Sequence, residues 1–193
     1  MWACLLRTNA QVAAKPVRSI LERQINETRE RIQTMEPRIK FTSVNPGAYR
    51  AMLGLETYLG QCGLDKKLLD LLRFRVSQIN GCAYCLDMHW KELMAAGETE
   101  QRLYGLDAWR ESPYYTERER AALAWAEAVT LVTEGHVGDS VFEEAHKHFS
   151  DEELANLTLA VVAINGWNRL NIALRTEPGT YQVHQQAPTK LAA

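Results

Sequence analysis

One short stretch of the chain carries residues able to do chemistry: Cys82, Cys85 and His89, spaced as C-x-x-C-x-x-x-H. At about 100° of rotation per helical residue, the three side chains fall on one narrow strip of a helix. Thiols at i and i+3 can close a disulfide, and the free backbone N–H groups at a helix start favour a thiolate. The imidazole, one turn beyond Cys85, can take its proton or position an acid. This spacing indicates thiol-based redox chemistry.

The sequence leaves three other interpretations of these residues open. Two cysteines and one histidine are three of the four ligands of a tetrahedral zinc site, although no second closely spaced ligand pair is present. The cysteines could instead be buried apolar residues, and His89 could be a core histidine whose ring nitrogens are hydrogen-bonded. The residues able to supply a fourth zinc ligand are Cys62, His136, His146 and His148.

The elements that must position these residues are helical. The sequence predicts a helix that is capped by Asn45, has Pro46 at its first position and ends at Gly63. A second helix is expected over about 65–79, followed by a third that begins near Cys82 and ends at Gly97. The cysteine strip is also the apolar face of this third helix, so the thiols should point into the protein.

Later in the chain, three S/T-x-x-E capping boxes, at Thr116, Ser140 and Ser150, each precede an apolar periodic run. The last run is apolar nearly all round, so this helix should be central or lie at a subunit interface. Pro178 and Gly179 are expected to end it. No segment alternates as a strand does, and the predicted class is an all-α bundle of six to seven helices.

Length and charge limit the classes of protein. A chain of 193 residues fits one domain, which we expect over residues 35–177, with an N-terminal extension (1–34) that is flexible or marginally helical and a C-terminal tail (178–193). The formal charge of −2 argues against nucleic acid or an anionic membrane as a partner. Four cysteines are too few for a secreted disulfide scaffold. A cytoplasmic location is expected.

The stretch from Arg75 to Cys85 (RVSQINGCAYC), with His89 after it, resembles the alkylhydroperoxidase AhpD core of the carboxymuconolactone decarboxylase superfamily. The resemblance continues through TERERAALAW (residues 116–125) and INGWNRL (residues 164–170), and it covers roughly Met35 to Arg175. It implies an all-helical fold, a homo-oligomer (trimer or hexamer), and reduction of small hydroperoxides without haem, metal or another cofactor.

The same resemblance implies a role for each site residue. Cys85 would be the peroxidatic cysteine that becomes a sulfenic acid, and Cys82 would resolve it to a disulfide. An external dithiol or thioredoxin-like reductant would then restore the thiols, and His89 would belong to the proton relay. Helix position alone would favour Cys82 as the thiolate, because Cys82 lies nearer the N-terminus.

Two positions depart from the family pattern. The relay glutamate expected twelve residues before the first cysteine is here Asp70, a candidate relay acid with a shorter arm. Asp70 could equally be a solvated helix carboxylate beside Lys66. Where well-studied members have a histidine before the second cysteine, this chain has Tyr84, whose phenol cannot act as a base near neutral pH.

The function expected from these observations is a thiol-dependent peroxidase. Two alternatives remain: a lyase resembling carboxymuconolactone decarboxylase, which would not rely on a C-x-x-C, and a non-catalytic redox-sensing or zinc-binding module.

Overall fold

The structure, a computed structural model, describes residues 36–183. The extension expected over residues 1–34 lies outside this range, as does the tail beyond residue 183. Residues 36–183 contain helices and no strand, which confirms the all-α prediction. No helix in this range is long and apolar enough to cross a membrane.

Nine α-helices follow one another within the described residues, and six of them have eight residues or more. A short 3₁₀ turn at Leu106–Ala108 lies between the fifth and sixth. In chain order the helices are α1 (Phe41–Val44), α2 (Pro46–Leu59), α3 (Lys66–Asn80), α4 (Ala83–Ala95), α5 (Glu100–Tyr104), α6 (Glu117–Thr130), α7 (Val132–Gly135), α8 (Asp139–His146) and α9 (Asp151–Leu174).

The sharp turn between α3 and α4 places the cysteine motif. Gly81 adopts a left-handed conformation (φ 67°) and its N–H donates to the carbonyls of Ser77 and Gln78, a helix end that suits glycine because it has no Cβ. Cys82 follows in an extended conformation as the N-cap of α4. The two helices are therefore joined by only two residues, and both thiols lie at the start of α4.

Helix α9 runs through the middle of the bundle. Ser150 caps it, with Glu153 completing the predicted capping box, and the helix contacts α2, α3, α4, α6 and α8. Its central position confirms the expectation drawn from its apolar circumference. It ends at Leu174, before the predicted Pro178, because Arg175 takes the left-handed C-cap conformation (φ 55°).

Two apolar clusters form the core, one on each side of α3. The first joins α3 to α2, α6, α8 and α9, and its members include Leu72, Val76, Leu157 and Ile164. The second joins α3 to α4, α5 and α6, and its members include Leu71, Phe74, Leu93 and Leu123. Because α3 packs against neighbouring helices on both sides, its orientation is fixed. The start of α4, only two residues further along the chain, is fixed with it.

Two of the predicted helix boundaries are wrong. Ser140 does not cap a helix: the N-cap of α8 is Gly138, two residues earlier, and the helix begins at Asp139. Helix α2 ends at Leu59 rather than at Gly63, because the chain has already turned at Gly60, whose N–H caps carbonyls of the last turn. The capping boxes at Thr116 and Ser150 and the cap at Asn45 are confirmed.

The two serines provide a matched test of helix capping. Ser150→Ala removes the acceptor for the backbone N–H of Glu153, and we expect a loss of about 1 kcal/mol in the free energy of unfolding. Ser140→Ala removes an exposed hydroxyl that caps nothing and should change stability by less than about 0.5 kcal/mol. Urea unfolding of both variants checks this, and equal losses would contradict the assignment.

Candidate active site

The two cysteines differ in what they face. Both are fully buried, but Cys85 lines a cavity of about 780 Å³ whereas Cys82 is absent from the described lining. Cys82 is the N-cap of α4 and Cys85 lies in its first turn. A molecule in the cavity therefore meets the sulfur of Cys85 first, with Cys82 behind it.

The two sulfur atoms share one hydrogen bond, which separates their acidities. Accepting from the Cys85 thiol lowers the pKa of Cys82 to about 7, against an opposing effect of burial. The same hydrogen bond, with burial, raises the pKa of Cys85 above its usual range. Of the two thiols, Cys82 at the helix start is therefore the one that ionises first, while Cys85 keeps its proton.

Two asparagines of α9 contribute amide groups to the thiols. Asn171 donates from Nδ2 to Cys85 Sγ at 3.4 Å, and hydrogen bonding by the fully buried Asn168 lowers the pKa of both cysteines. Asn168 is held by its own partners: it accepts from Asn80 Nδ2 at 2.8 Å and donates to Ser77 Oγ at 3.1 Å. These amides stabilise negative charge on sulfur in a dry environment.

His89 lines the same cavity, one turn beyond Cys85. Its side chain is only 4% exposed, yet neither ring nitrogen has a hydrogen-bond partner among residues 36–183. Oε2 of Glu92 lies 3.6 Å from its Nδ1. The core-histidine interpretation required satisfied nitrogens, so the unpaired ring favours a functional role instead.

Asp70 is only 1% exposed, so the alternative that it is a solvated helix carboxylate is wrong. Its Oδ2 accepts from Lys66 Nζ at 2.5 Å and its Oδ1 accepts from Arg73 at 3.0 Å. Arg73 also donates to Glu56 at 2.7 Å, and Glu56 accepts from Trp167 Nε1 at 3.0 Å. The carboxylate therefore belongs to a charge network that joins α3, α2 and α9.

The structure brings together a different set of metal-ligating groups from the one considered in the sequence. Ligand atoms of Asp70, His89 and Glu92 lie within 4.8 Å of one another. Within the described range neither cysteine joins such a group, so these residues do not assemble a thiolate zinc site. Both oxygens of Asp70 already accept from cationic side chains, which opposes the binding of a divalent ion there.

The rest of the cavity wall is mainly apolar and aromatic. Tyr84 lines it, and burial raises the pKa of this phenol further above its ordinary value, so Tyr84 stays protonated and can only donate. The wall suits an organic molecule with a small reactive polar group. Its apolar and aromatic members include Tyr49, Leu53, Met88, Ile164 and Trp167.

All four residues selected from the sequence lie at this site, three of them (Asp70, Cys85 and His89) in the cavity wall. Sequence reasoning missed Glu92, Asn168 and Asn171. Signals for them existed: Glu92 follows His89 at i+3, and the asparagines interrupt an otherwise apolar helix.

This fold and thiol site define the class of protein. Residues 46–128 match the model of the carboxymuconolactone decarboxylase family, and the chain belongs to that family, in its AhpD-like branch. The uncharacterized protein YdfG of Bacillus subtilis is 37% identical over 140 residues, which are 72% of this chain and 95% of YdfG.

Two further relatives connect the chain with AhpD. A solved structure from Agrobacterium tumefaciens, a protein of unknown function described in terms of the antioxidant defence protein AhpD, is 42% identical with a TM-score of 0.73; the match covers 76% of this chain and 100% of that one. The alkyl hydroperoxide reductase AhpD of Streptomyces coelicolor is 40% identical over 81 residues, 40% of this chain and 45% of that protein. The family is one of enzymes.

The shared proton can be tested without any substrate. Cys85→Ala removes the donor, so the pKa of Cys82 should rise by at least one unit toward that of an ordinary thiol, about 8.5. Cys85→Ser keeps a hydroxyl donor and should show a smaller rise. Thiolate absorbance at 240 nm against pH, in a background with Cys4 and Cys62 replaced by serine, measures both. An unchanged midpoint in the alanine variant would contradict the shared hydrogen bond.

Proposed function

We propose that this protein is a thiol-dependent peroxidase that reduces small organic hydroperoxides by cycling Cys82 and Cys85 between dithiol and disulfide. The observation that carries the proposal is that the two thiols differ in position and in acidity. Cys85 lines the cavity where a peroxide would bind, and the buried thiolate of Cys82 accepts its hydrogen bond. The AhpD-named relatives support the same chemistry.

In the first step Cys85 must become the nucleophile. The Cys82 thiolate accepts the proton from the Cys85 thiol, along the hydrogen bond that already joins them. The Cys85 sulfur attacks the outer oxygen of the hydroperoxide, and the O–O bond breaks as the S–O bond forms. Cys85 becomes a sulfenic acid, and the leaving alkoxide takes a proton to depart as an alcohol.

In the second step Cys82 resolves the sulfenic acid. Its sulfur attacks the Cys85 sulfur, the S–O bond breaks and the oxygen leaves as water, with one proton from the Cys82 thiol. The net change oxidises two thiols to one disulfide and reduces one hydroperoxide to an alcohol and water. An external dithiol reductant then returns both cysteines to thiols by disulfide exchange.

His89 is proposed as the group that moves protons between these steps. Its buried ring lies on the cavity wall, and its nitrogens have no partner within residues 36–183, so they are free to exchange a proton with the leaving oxygen. Asp70 would act at a distance, because its oxygens are occupied by Lys66 and Arg73. Its proposed role is to neutralise the positive charges of Lys66 and Arg73 in the cavity wall.

Trapping the sulfenic acid tests which sulfur attacks. In Cys82→Ser, one equivalent of cumene hydroperoxide should yield a dimedone adduct on Cys85, because attack no longer leads to a disulfide. In Cys85→Ser, turnover with dithiothreitol should fall to background and Cys82 should carry no adduct. Mass spectrometry of the peptides reads both results.

Cys62→Ser is the matched control, since Cys62 is half-buried but lies outside the described cavity lining, and its turnover should equal that of the unaltered chain. A dimedone label on Cys82 with normal turnover in Cys85→Ser would reverse the assignment. Unchanged peroxide turnover in both Cys82→Ser and Cys85→Ser would instead exclude these two thiols from the reduction.

We also propose a homo-oligomer, the trimer or hexamer that the family resemblance implies. Helix α9 exposes Val162 and Ile172, which are 53% and 47% accessible in the single chain. Large apolar side chains exposed on a central helix are typical of an interface between subunits.

Light scattering tests the assembly. The chain should have a mass of at least three times its 21.9 kDa, and Val162→Lys should reduce it because a charge cannot be buried unpaired. Val44→Lys, at an exposed valine of α1, is the control and should leave the mass unchanged. A monomer at micromolar concentration would refute the proposal.

A further inference from the structure

Glu92 lies three residues beyond His89 on α4, and each of its carboxylate oxygens faces a different partner. Oε2 is 3.6 Å from Nδ1 of His89. Oε1 accepts a hydrogen bond of 2.6 Å from the phenol of Tyr181. The carboxylate is therefore fixed from one side and aimed at the imidazole on the other.

Tyr181 reaches Glu92 because the C-terminal segment, residues 175–183, is attached along α4. Lys91 Nζ donates to the carbonyl oxygen of Tyr181 at 2.9 Å and to that of Gly179 at 3.4 Å. The N–H of Gly179 donates to Asp87 Oδ2 at 3.2 Å, and Asp87 also pairs with Lys91 at 2.7 Å. Four hydrogen bonds thus hold the segment against the helix that carries both cysteines and His89.

The other carboxylate near the imidazole is differently engaged. Asp70 gives one oxygen to Lys66 and the other to Arg73, so both of its oxygens are neutralised by cations. Glu92 has one oxygen on a neutral phenol and leaves the other facing His89. Between Asp70 and Glu92, Glu92 is therefore the carboxylate with an oxygen available to accept a hydrogen bond from a ring N–H of His89.

We propose that Glu92, held by Tyr181, is the positioning residue of His89: its Oε2 accepts from Nδ1–H and so leaves the lone pair on Nε2. This inference rests on the proposed peroxidase activity, because that activity is what requires Nε2 to exchange a proton. A carboxylate paired with one ring nitrogen selects the tautomer and fixes the ring plane.

The electrostatics of the site agree with this arrangement. The interaction with His89, helped by the hydrogen bond from Tyr181, lowers the pKa of Glu92 to about 2 in spite of burial. Glu92 is therefore ionised throughout the neutral range. A separation of 3.6 Å is longer than a hydrogen bond, and hydrogen bonds of catalytic groups are often long in an empty site and shorten when the reactant binds.

Ring-¹⁵N histidine NMR of the full chain tests the tautomer directly, with the His89 signals assigned from a His89→Gln variant. At pH 9 the unaltered chain should show Nδ1 protonated and Nε2 unprotonated. Glu92→Gln should shift both signals toward a mixture of tautomers, because an amide can donate as well as accept. Tyr181→Phe, which keeps the carboxylate, should shift them less, and Glu92→Asp should retain the Nδ1–H tautomer in part.

Turnover of cumene hydroperoxide with dithiothreitol is the second measurement. We expect kcat/KM to fall about tenfold in Glu92→Gln, less in Tyr181→Phe and Glu92→Asp, and not at all in Glu111→Gln, an exposed carboxylate outside the site. Circular dichroism verifies that each variant is folded.

The outcomes separate this inference from the peroxidase proposal. Unchanged ¹⁵N signals in Glu92→Gln, or a tautomer shift in Asp70→Asn but not in Glu92→Gln, would overturn the role of Glu92. If the unaltered chain turns over no peroxide while Glu92→Gln still changes the tautomer, the peroxidase proposal fails and the positioning of His89 stands.

Discussion

One proton held between two buried sulfur atoms is the interaction on which this site depends. A thiolate buried in an apolar core is unfavourable, yet hydrogen bonds from Cys85 and Asn168 lower the pKa of Cys82 to about 7 against the effect of burial. The surrounding backbone holds the two thiols in this position. Gly81 reverses the chain so that α4 begins at Cys82, and α3, buried on both faces, holds the turn.

Polar side chains in the core follow from the same constraint. Asn168 is fully buried, and its two hydrogen-bond partners on α3, Asn80 and Ser77, compensate the loss of water. Arg73, Asp70 and Glu56 form a second set in which charges of opposite sign neutralise one another. Each side chain of these two networks has at least one hydrogen-bond partner, although Nε of Arg73 has none within residues 36–183. His89 differs because both of its ring nitrogens lack a partner in that range, which indicates chemistry rather than packing.

What could be predicted from the sequence was local. The helices, the caps at Asn45, Thr116 and Ser150, and the shared face of Cys82, Cys85 and His89 follow from spacing within one element. Glu92 could have been found in the same way, from its i+3 spacing. The burial of Asp70 and the approach of Asn168 and Asn171 could not, because both depend on how α9 packs against α3 and α4, across 86 residues in the case of the Asn171–Cys85 contact. The wrong cap at Ser140 shows the converse limit: the S-x-x-E motif is present in the sequence, but the helix begins two residues earlier than that cap would place it, with Gly138 as an N-cap that has no side-chain acceptor.

The placement of Cys85 on the cavity wall, with Cys82 behind it, has a kinetic consequence for the proposed peroxidase. The oxidant and the reducing dithiol must both approach the Cys85 sulfur through the same enclosed space, so they exclude each other sterically. The two half-reactions then alternate, with alcohol and water released before the reductant enters. Initial-rate plots against one substrate at several fixed concentrations of the other would form parallel lines, the pattern of a double-displacement enzyme, and an excess of either substrate would compete with the other for the cavity.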